Sequence, residues 1–316
     1  ENRNDGVRIL INADPSTAMD FREKLEECAP PAARIEHIRM DEEPFLRQEG
    51  FRIRESRDVS NGVTGISPDI AVCEECLAEM GRQPHRLAYP FINCTRCGPR
   101  FTIIRSLPYD RPNTSMAGFP LCDDCRAEYE NPADRRFHAQ PLACPVCGPQ
   151  LQFVPNLRAN LDGDAPAVRA SFARDQKTRE QSSLLQAIEA LEDGLILAAK
   201  GVGGYHLVCD ATNEEAVMRL RERKRRPHKP LAVMFPLESE GGLGVAREYL
   251  ELDETTARAL TDPSRPIVLA RICNSEPCSR PKVSRAKLAL TAIAPGLREL
   301  GAFLPYSPLH HELLAR

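Results

Sequence analysis

Eight of the twelve cysteines fall into four Cys-x-x-Cys pairs within one short stretch of the chain. They are Cys73/Cys76, Cys94/Cys97, Cys122/Cys125 and Cys144/Cys147. Between the first two pairs lie 17 residues, and between the last two lie 18. A gap of roughly 15–20 residues is the spacing of a four-thiolate zinc site. Each pair offers two thiolates from one turn, and the loop returns to complete the tetrahedron. The spacing therefore predicts two structural zinc ions, each bound by two consecutive pairs.

Three other uses of such pairs fit the sequence less well. Disulfides need an oxidising compartment, and the chain opens with ENRND instead of an apolar signal segment. Redox-active Cys-x-x-Cys motifs occur singly. Zinc ribbons that bind nucleic acid are the serious rival, but residues 66–150 hold nine Arg, no Lys and ten Asp or Glu. That charge is a poor match to DNA. Because four cysteines saturate each ion, we expect His85 and His138 to be structural.

A second chemical feature is a dense cationic cluster. Its members are Arg219, Arg221, Arg223, Lys224, Arg225, Arg226 and Lys229. A charge run is usually a solvated helix face. Here, however, Pro227 and Pro230 end the helix and hold Arg226 and Lys229 in a rigid turn before a strand. Arg and Lys in such a turn can bind phosphate oxygens, so we favour a phosphate-binding turn. Arg221 lies outside the turn, and we expect its replacement to change phosphate binding little.

The glycine-rich segment from Lys200 to Gly204 gives a weaker signal. It lies between two predicted strands, 195–199 and 205–209. The glycines either form a simple turn or let a ligand approach the backbone beside Lys200, with Gly203 at the contact. His206 on the second strand is more often a packed histidine than a ligand. We keep Lys200, Gly203 and His206 as candidate ligand-binding residues.

The composition is that of an ordinary globular protein of two or three domains. The chain has 316 residues, 42% apolar and 28% charged, with a net charge of −3. No apolar run approaches the roughly 18 residues that a membrane span requires. The cysteines without a secretion signal indicate a reducing, cytoplasmic location. We expect neither DNA nor a membrane as a partner.

The elements that position these residues divide into three parts. Residues 1–60 show a strand at 7–11, a helix capped by Ser16 and ending near Cys28, and strands at 33–40 and 51–54. Residues 66–150 form the loop-rich zinc region, and residues 155–182 form a polar linker. Residues 180–316 alternate strands with helices, which predicts an α/β domain. The fold class is therefore α+β and multidomain.

Several segments together resemble the HypF family of hydrogenase maturation carbamoyltransferases. The paired cysteines are followed by KGVGGYHLVCDATNEEAVMRLRERKRRPHKPLAVM from residue 200, and then by SRPIVLA (264–270), IAPGLRELG (293–301) and LPYSPLHHELL (304–314). The resemblance implies an acylphosphatase-like remnant at 1–60, tandem four-cysteine zinc fingers and a YrdC-like domain. It also implies that Asn2 occupies the position of the catalytic Asn of the acylphosphatase domain.

In that family the acylphosphatase part releases carbamate from carbamoyl phosphate. The YrdC-like part then activates carbamate with ATP as carbamoyl adenylate, and a further domain passes the carbamoyl group to a cysteine of a hydrogenase maturation partner protein. The resemblance makes Lys200, Lys224, Arg226 and Lys229 ligands of ATP and the adenylate, with Mg²⁺ accompanying the nucleotide.

The resemblance also implies that this sequence is the middle of a longer enzyme. We expect the glycine-rich phosphate loop, the Ser-Gly-Asn motif of the nucleotide site and the transferase domain to lie outside it. Two other functions stay open. One is a YrdC-like synthase of threonylcarbamoyl adenylate for tRNA modification, which leaves the zinc pairs unexplained. The other is a zinc-dependent protein-binding module, although those have shorter, Gly-rich spacing.

Overall fold

The structure is a computed structural model of the chain. It describes residues 2–3, 6–29, 35–44, 50, 66–155, 176–237, 242–273 and 287–315, with the backbone alone for 2–3 and 176–182. The chain divides into two compact units. The first comprises residues 1–70 and 93–142, and the second comprises residues 71–92 and 143–316. The segment that carries the cysteine pairs therefore contributes residues to both units.

The first unit begins with two short strands and a helix, β1 (Asn2–Arg3), β2 (Gly6–Val7) and α1 (Pro15–Glu27). Asp14, not Ser16, caps α1, since its carboxylate accepts the backbone N–H groups of Ser16 and Thr17 at 3.0 and 3.1 Å.

Two predicted strands of this unit differ from the structure. Only Val7 of the strand predicted at 7–11 lies in a strand, and residues 35–40 of the strand predicted at 33–40 lie in none. A short alternating apolar pattern does not by itself supply a neighbouring strand to pair with, and the two predictions rested on the pattern alone. The strand predicted at 51–54 lies outside the described residues.

The region of the cysteine pairs consists mainly of turns, as expected. Its two α-helices are α2 (Glu74–Arg82) and α3 (Asp123–Glu130), and each begins directly after the first cysteine of a pair. Both first turns are acidic, which stabilises the helix N-termini. Buried arginines stiffen the turns. In the first unit, Arg111 donates to the carbonyl oxygens of Gln140 and Leu142 at 2.7 and 2.8 Å.

The second unit contains the alternation of helices and strands that the sequence predicts. Its elements are α4 (Gln176–Glu192), β3 (Leu197–Gly201), β4 (Gly204–Val208), α5 (Glu214–Arg223), β5 (Val233–Met234), α6 (Gly244–Tyr249), β6 (Leu250–Glu251), α7 (Glu254–Thr261), β7 (Val268–Ile272), α8 (Leu290–Ile293), β8 (Glu299–Phe303) and α9 (Pro308–Leu314). The α+β prediction is confirmed. One boundary is wrong, because α4 begins at Gln176, inside the predicted linker. Gln, Lys, Arg and Glu at this end are good helix formers even without an apolar face.

Two sheets organise this unit. Strands β3 and β4 form an antiparallel hairpin in which Lys200 pairs with Tyr205 and Ala199 with His206. The other sheet has the order β5-β8-β7-β6, with β5 parallel to β8 and the remaining pairs antiparallel. Its core side chains are almost fully buried; they include Leu250, Leu260, Ile293, Leu300 and Leu304. Among the described residues, no helix combines the length and apolar character that spanning a bilayer requires.

Candidate functional site

The first group of possible metal ligands consists of Cys73, Cys76, Cys94 and Cys97. The sulfurs of Cys94 and Cys97 are 3.7 Å apart. Two thiolates on a tetrahedral zinc ion, each about 2.3 Å from the metal, would be about 3.8 Å apart. The backbone N–H of Arg96 also donates to the Cys94 sulfur at 3.3 Å. The donor set and its spacing therefore fit zinc.

The second group of possible metal ligands consists of His85, Cys122, Cys125 and Cys144. The sulfur of Cys147 lies 3.7 Å from that of Cys144, so it is also close to this group. Zinc accepts an imidazole as readily as a thiolate. His85 is thus among the side chains that could supply a ligand atom. The expectation that four cysteines saturate this ion and that His85 is structural stays a prediction.

Two glycines explain why each second cysteine pair continues as Cys-Gly-Pro. Gly148 packs against the Tyr89 hydroxyl, and a Cβ added there would lie 2.5 Å from the Cβ of Ala143. Gly98 has a φ of +92°, and a Cβ there would lie 2.7 Å from the Cβ of Asn93. A side chain at either glycine would displace its neighbours. Both glycines let the chain turn tightly beside the cysteines.

The turn that holds Arg226 and Lys229, here called the cationic turn, differs in conformation from the prediction. Helix α5 ends at Arg223, before the two prolines, and Arg225 takes a left-handed φ of +48°. Arg221 is buried, with 4% exposure. Its guanidinium donates to backbone carbonyl oxygens of two segments. They are those of Arg226, Pro227, Lys229, Ala292 and Ile293.

Arg221 therefore has a structural role that the sequence did not indicate, while its predicted small effect on phosphate binding stays a prediction. The side chain ties the end of α5 to both the turn and α8. A positively charged cluster in a sequence does not reveal which of its members points inward, because every third or fourth position of a helix can face the core.

The predicted phosphate ligands lie on the surface of this turn. Lys224 and Lys229 are exposed, and Arg226 is partly buried. The Arg226 side chain donates to the carbonyl oxygens of Lys229 at 3.3 Å and Pro230 at 2.7 Å. Two of its donors thus stiffen the turn.

A groove of about 680 Å³ lies beside the turn. Its charged lining residues are Glu215, Arg219, Arg221, Glu222, Arg225 and Arg226. Arginines outnumber glutamates in this lining, so the groove favours anions. Arg219 and Arg225 were not among the predicted ligands.

The hairpin separates two of the predicted ligands. Lys200 is exposed, and its ammonium lies 5.8 Å from the ring centroid of Tyr205. His206 points to the opposite face of the hairpin, since successive strand residues alternate. Gly203 lies in the connecting turn with a φ of +84°, which only glycine adopts freely. The structure therefore does not bring Lys200 and His206 together.

An aromatic cluster on the His206 face was not predicted. The rings of His206 and His310 are stacked with centroids 5.6 Å apart, and the Tyr306 ring lies 4.5 Å from that of His310. Burial raises the pKa of Tyr306 to about 12. Burial, together with the neighbouring His206 and His311, lowers the pKa of His310 to about 4. Tyr306 and His310 are therefore neutral at physiological pH.

Comparisons with known proteins extend this description. A family model described as HypF finger matches residues 72–104 and 121–154, which contain the two cysteine groups. The Sua5_yciO_yrdC model, described as telomere recombination, matches residues 189–316. The carbamoyltransferase HypF of Rhodobacter capsulatus is 44% identical over 98% of this chain. Nearly the whole chain is thus similar to a HypF protein. The HypF of Synechocystis is 41% identical over the whole chain, and the probable HypF of Methanocaldococcus jannaschii is 35% identical over 99% of it.

Solved HypF structures show the same similarity. A full-length HypF in a phosphate- and nucleotide-bound form superposes with a TM-score of 0.84 at 36% identity, and the HypF of T. kodakarensis with 0.74 at 38%. They match 99% and 100% of this chain but only 37% and 36% of their own. The chain likewise spans 36–37% of the three relatives named above. Asn2, the predicted catalytic residue of the acylphosphatase-like part, lies in β1 opposite Val7, and its side chain lies outside the described residues.

Proposed function

We propose that this chain is the zinc-ordered, ATP-binding part of a carbamoyltransferase that acts in hydrogenase maturation. The observation that carries the proposal is the alignment of nearly the whole chain with proteins named carbamoyltransferase HypF. The likeness to a HypF structure in a nucleotide-bound form supports ATP as the ligand of the YrdC-like domain. The remainder of the reaction belongs to the longer protein that carries this segment.

The proposed reaction is an adenylation. Carbamate, released from carbamoyl phosphate with Asn2 in the acylphosphatase-like site, attacks the α-phosphorus of ATP through an oxygen atom. The bond from that phosphorus to the β-phosphate bridging oxygen breaks, pyrophosphate leaves, and carbamoyl adenylate remains. The carbamoyl group then passes to a cysteine of the partner protein.

The cationic turn supplies the electrostatics of this step. Negative charge grows on the leaving pyrophosphate, and fixed cations stabilise it without reorganising at the moment of reaction. Lys224 and Lys229 are exposed and available for this contact, while Arg226 stiffens the turn that carries them. We also propose Lys200 and Gly203 as ligands of the nucleotide. Mg²⁺, when bound with ATP, would neutralise further phosphate charge.

The two zinc ions have a structural role in this proposal. The cysteine region has few regular elements, and zinc binding supplies folding free energy directly. A threonylcarbamoyl-adenylate synthase would need no such region. A protein-binding zinc module would need no anion-binding groove.

Pyrophosphate release separates the three functions. The full-length protein is incubated with ATP and Mg²⁺, with or without carbamoyl phosphate, and pyrophosphate is measured. We expect release that depends on carbamoyl phosphate. Release that depends instead on threonine and bicarbonate would favour the synthase, and the absence of both would leave the binding module.

A further inference from the structure

Helix α5 ends in a turn whose backbone hydrogen bonds follow the Schellman pattern. The N–H of Arg226 donates to the carbonyl oxygen of Arg221 at 2.9 Å, and the N–H of Arg225 donates to that of Glu222, also at 2.9 Å. This pattern places the residue after the helix cap in the left-handed region, where glycine is the usual residue. Here that residue is Arg225, with a φ of +48°. An arginine thus occupies a position that favours glycine.

The side chain at this position has a conformational cost and no polar contact that offsets it. In the left-handed region the Cβ of an L-residue lies too close to the following carbonyl oxygen, a cost that glycine avoids. Arg225 is exposed, and among the residues that the structure describes its guanidinium makes no hydrogen bond or ion pair. Backbone strain of this kind points to a role for the side chain that bears it.

The Arg225 side chain lines the groove of about 680 Å³ together with those of Arg219 and Arg226. Nη1 of Arg219 donates to the carbonyl oxygen of Gly194 at 3.0 Å, and Nε and Nη2 of Arg226 donate within the turn. Within the described part of the chain, the remaining N–H groups of these two side chains make no other hydrogen bond. Three guanidiniums with unused donors therefore line one groove, and two of them are held in place by backbone carbonyls.

Such a groove suits an anion that carries several oxygen atoms. A guanidinium binds a phosphate group through paired N–H donors. Four arginines and two glutamates line the groove, which gives it a positive balance even though Arg221 is engaged by backbone carbonyls. Its volume lies within the range of about 300–1,000 Å³ that small-molecule sites occupy. A diphosphate offers both the charge and the number of acceptors that these donors need.

We propose that Arg225, with Arg219 and Arg226, forms a subsite for a diphosphate group, supplied either by the terminal phosphates of a bound nucleotide or by free pyrophosphate. The inference rests on the proposed function, because ATP is the substrate of that reaction and pyrophosphate is its product. It adds a binding residue on the groove side of the cationic turn to the two lysines assigned above.

Replacing Arg225 by glycine separates its side chain from its backbone. Arg225→Gly removes the guanidinium and also the cost of the left-handed conformation, so the thermal midpoint of the full-length protein should be unchanged or raised. Calorimetry should show pyrophosphate bound about 10-fold or more weakly than by the wild type. Arg225→Asn, which also tolerates this conformation, should lose the same affinity. Unchanged pyrophosphate affinity in these variants, or no binding of pyrophosphate to the wild type, would overturn the subsite.

Arg223→Ala is the matched control for charge. Arg223 is exposed at the end of the same helix, and among the described residues it does not belong to the lining of the groove. Its replacement removes one positive charge, as Arg225→Gly does, and should change the Kd of pyrophosphate by less than about 2-fold. Equal losses in the two variants would mean general electrostatics and would overturn the subsite.

The affinity for ATP distinguishes the two sources of the diphosphate. If Arg225→Gly weakens the binding of both ATP and pyrophosphate, the groove holds the terminal phosphates of the nucleotide. If it weakens the binding of pyrophosphate alone, the groove holds only the free anion. AMP lacks the terminal phosphates and should bind equally to the variant and the wild type; an equal loss for AMP would overturn the diphosphate assignment.

Binding and turnover together distinguish this subsite from the proposed function. If pyrophosphate binding depends on Arg225 but pyrophosphate release does not depend on carbamoyl phosphate, the proposed function fails and the subsite stands. If release depends on carbamoyl phosphate and Arg225→Gly keeps the wild-type affinity for pyrophosphate, the subsite fails and the function stands.

Discussion

The guanidinium of Arg221 donates a 3.1 Å hydrogen bond to the carbonyl oxygen of Lys229. Further donors of the same side chain reach Arg226 and Ile293 at 2.9 and 2.7 Å. One buried cation therefore holds the conformation of a turn whose two lysines, Lys224 and Lys229, are exposed. The cationic cluster has an inner member that shapes the turn and outer members that are available to a ligand.

Replacing Arg221 by Ala should destabilise the YrdC-like domain by about 3 kcal/mol, because several carbonyl oxygens lose a charged donor at once. Hydrogen exchange of peptides that cover residues 214–234 would measure this loss as faster exchange. Arg223→Ala is the matched control, since Arg223 is exposed at the end of the same helix and should change stability by less than about 0.5 kcal/mol. Equal exchange in the two variants would contradict the role of Arg221.

Lys229→Ala should weaken ATP binding by about 1.5–3 kcal/mol in the full-length protein, as expected for the loss of a charged hydrogen bond to phosphate. Calorimetry would measure the affinity, and Arg223→Ala again serves as the control. A solvated surface would give small losses that vanish with added salt. Similar losses at both positions would mean general electrostatics, and the assignment of Lys229 to the site would be abandoned.

The sequence was sufficient to predict the chemistry of the cysteine region, because a metal site fixes both residue type and spacing. It also predicted the alternation of helices and strands in the second unit, because the period of the apolar residues distinguishes a helix from a strand. It could not predict Arg221 or His310, whose roles depend on burial. Nor could it place Lys200 and His206 on opposite faces, because they lie on two different strands whose relative faces follow only from the pairing register.

Zinc content should be two ions per chain in protein purified without chelator. Cys94→Ser and Cys144→Ser should each lose one ion, as each removes a thiolate from a different group. Elemental analysis gives the stoichiometry, and Cys28→Ser, at an exposed cysteine beyond α1, should retain both ions. One zinc ion or none in the unsubstituted protein would show that the two groups are not both zinc sites.

Acid should destabilise the domain through His310. Its pKa falls from an ordinary value of 6.5 in the unfolded chain to about 4 in the fold, so the unfolded chain binds more protons between these values. The free energy of unfolding is therefore highest above pH 6.5 and falls as the pH falls toward 4. His310 accounts for a loss of about 2 kcal/mol between pH 7 and pH 5.

The measurement compares denaturant midpoints at pH 7 and pH 5 for the wild type and His310→Asn. Both proteins retain His311 and the cysteine groups, so the difference between their pH slopes reports His310 alone. We expect the variant to lose less stability than the wild type on acidification. An unchanged slope would mean that His310 is not the buried neutral base described above.

The most direct test of the central claim is to trap the acyl adenylate. The full-length protein is mixed with Mg²⁺, carbamoyl phosphate labelled with ¹⁴C and ATP labelled with ³²P at the α-phosphate, then quenched rapidly and separated by chromatography. The account predicts one species that carries both labels, formed together with pyrophosphate and diminished in Lys229→Ala. Turnover that yields ADP and phosphate, with no doubly labelled species at any time, would contradict it.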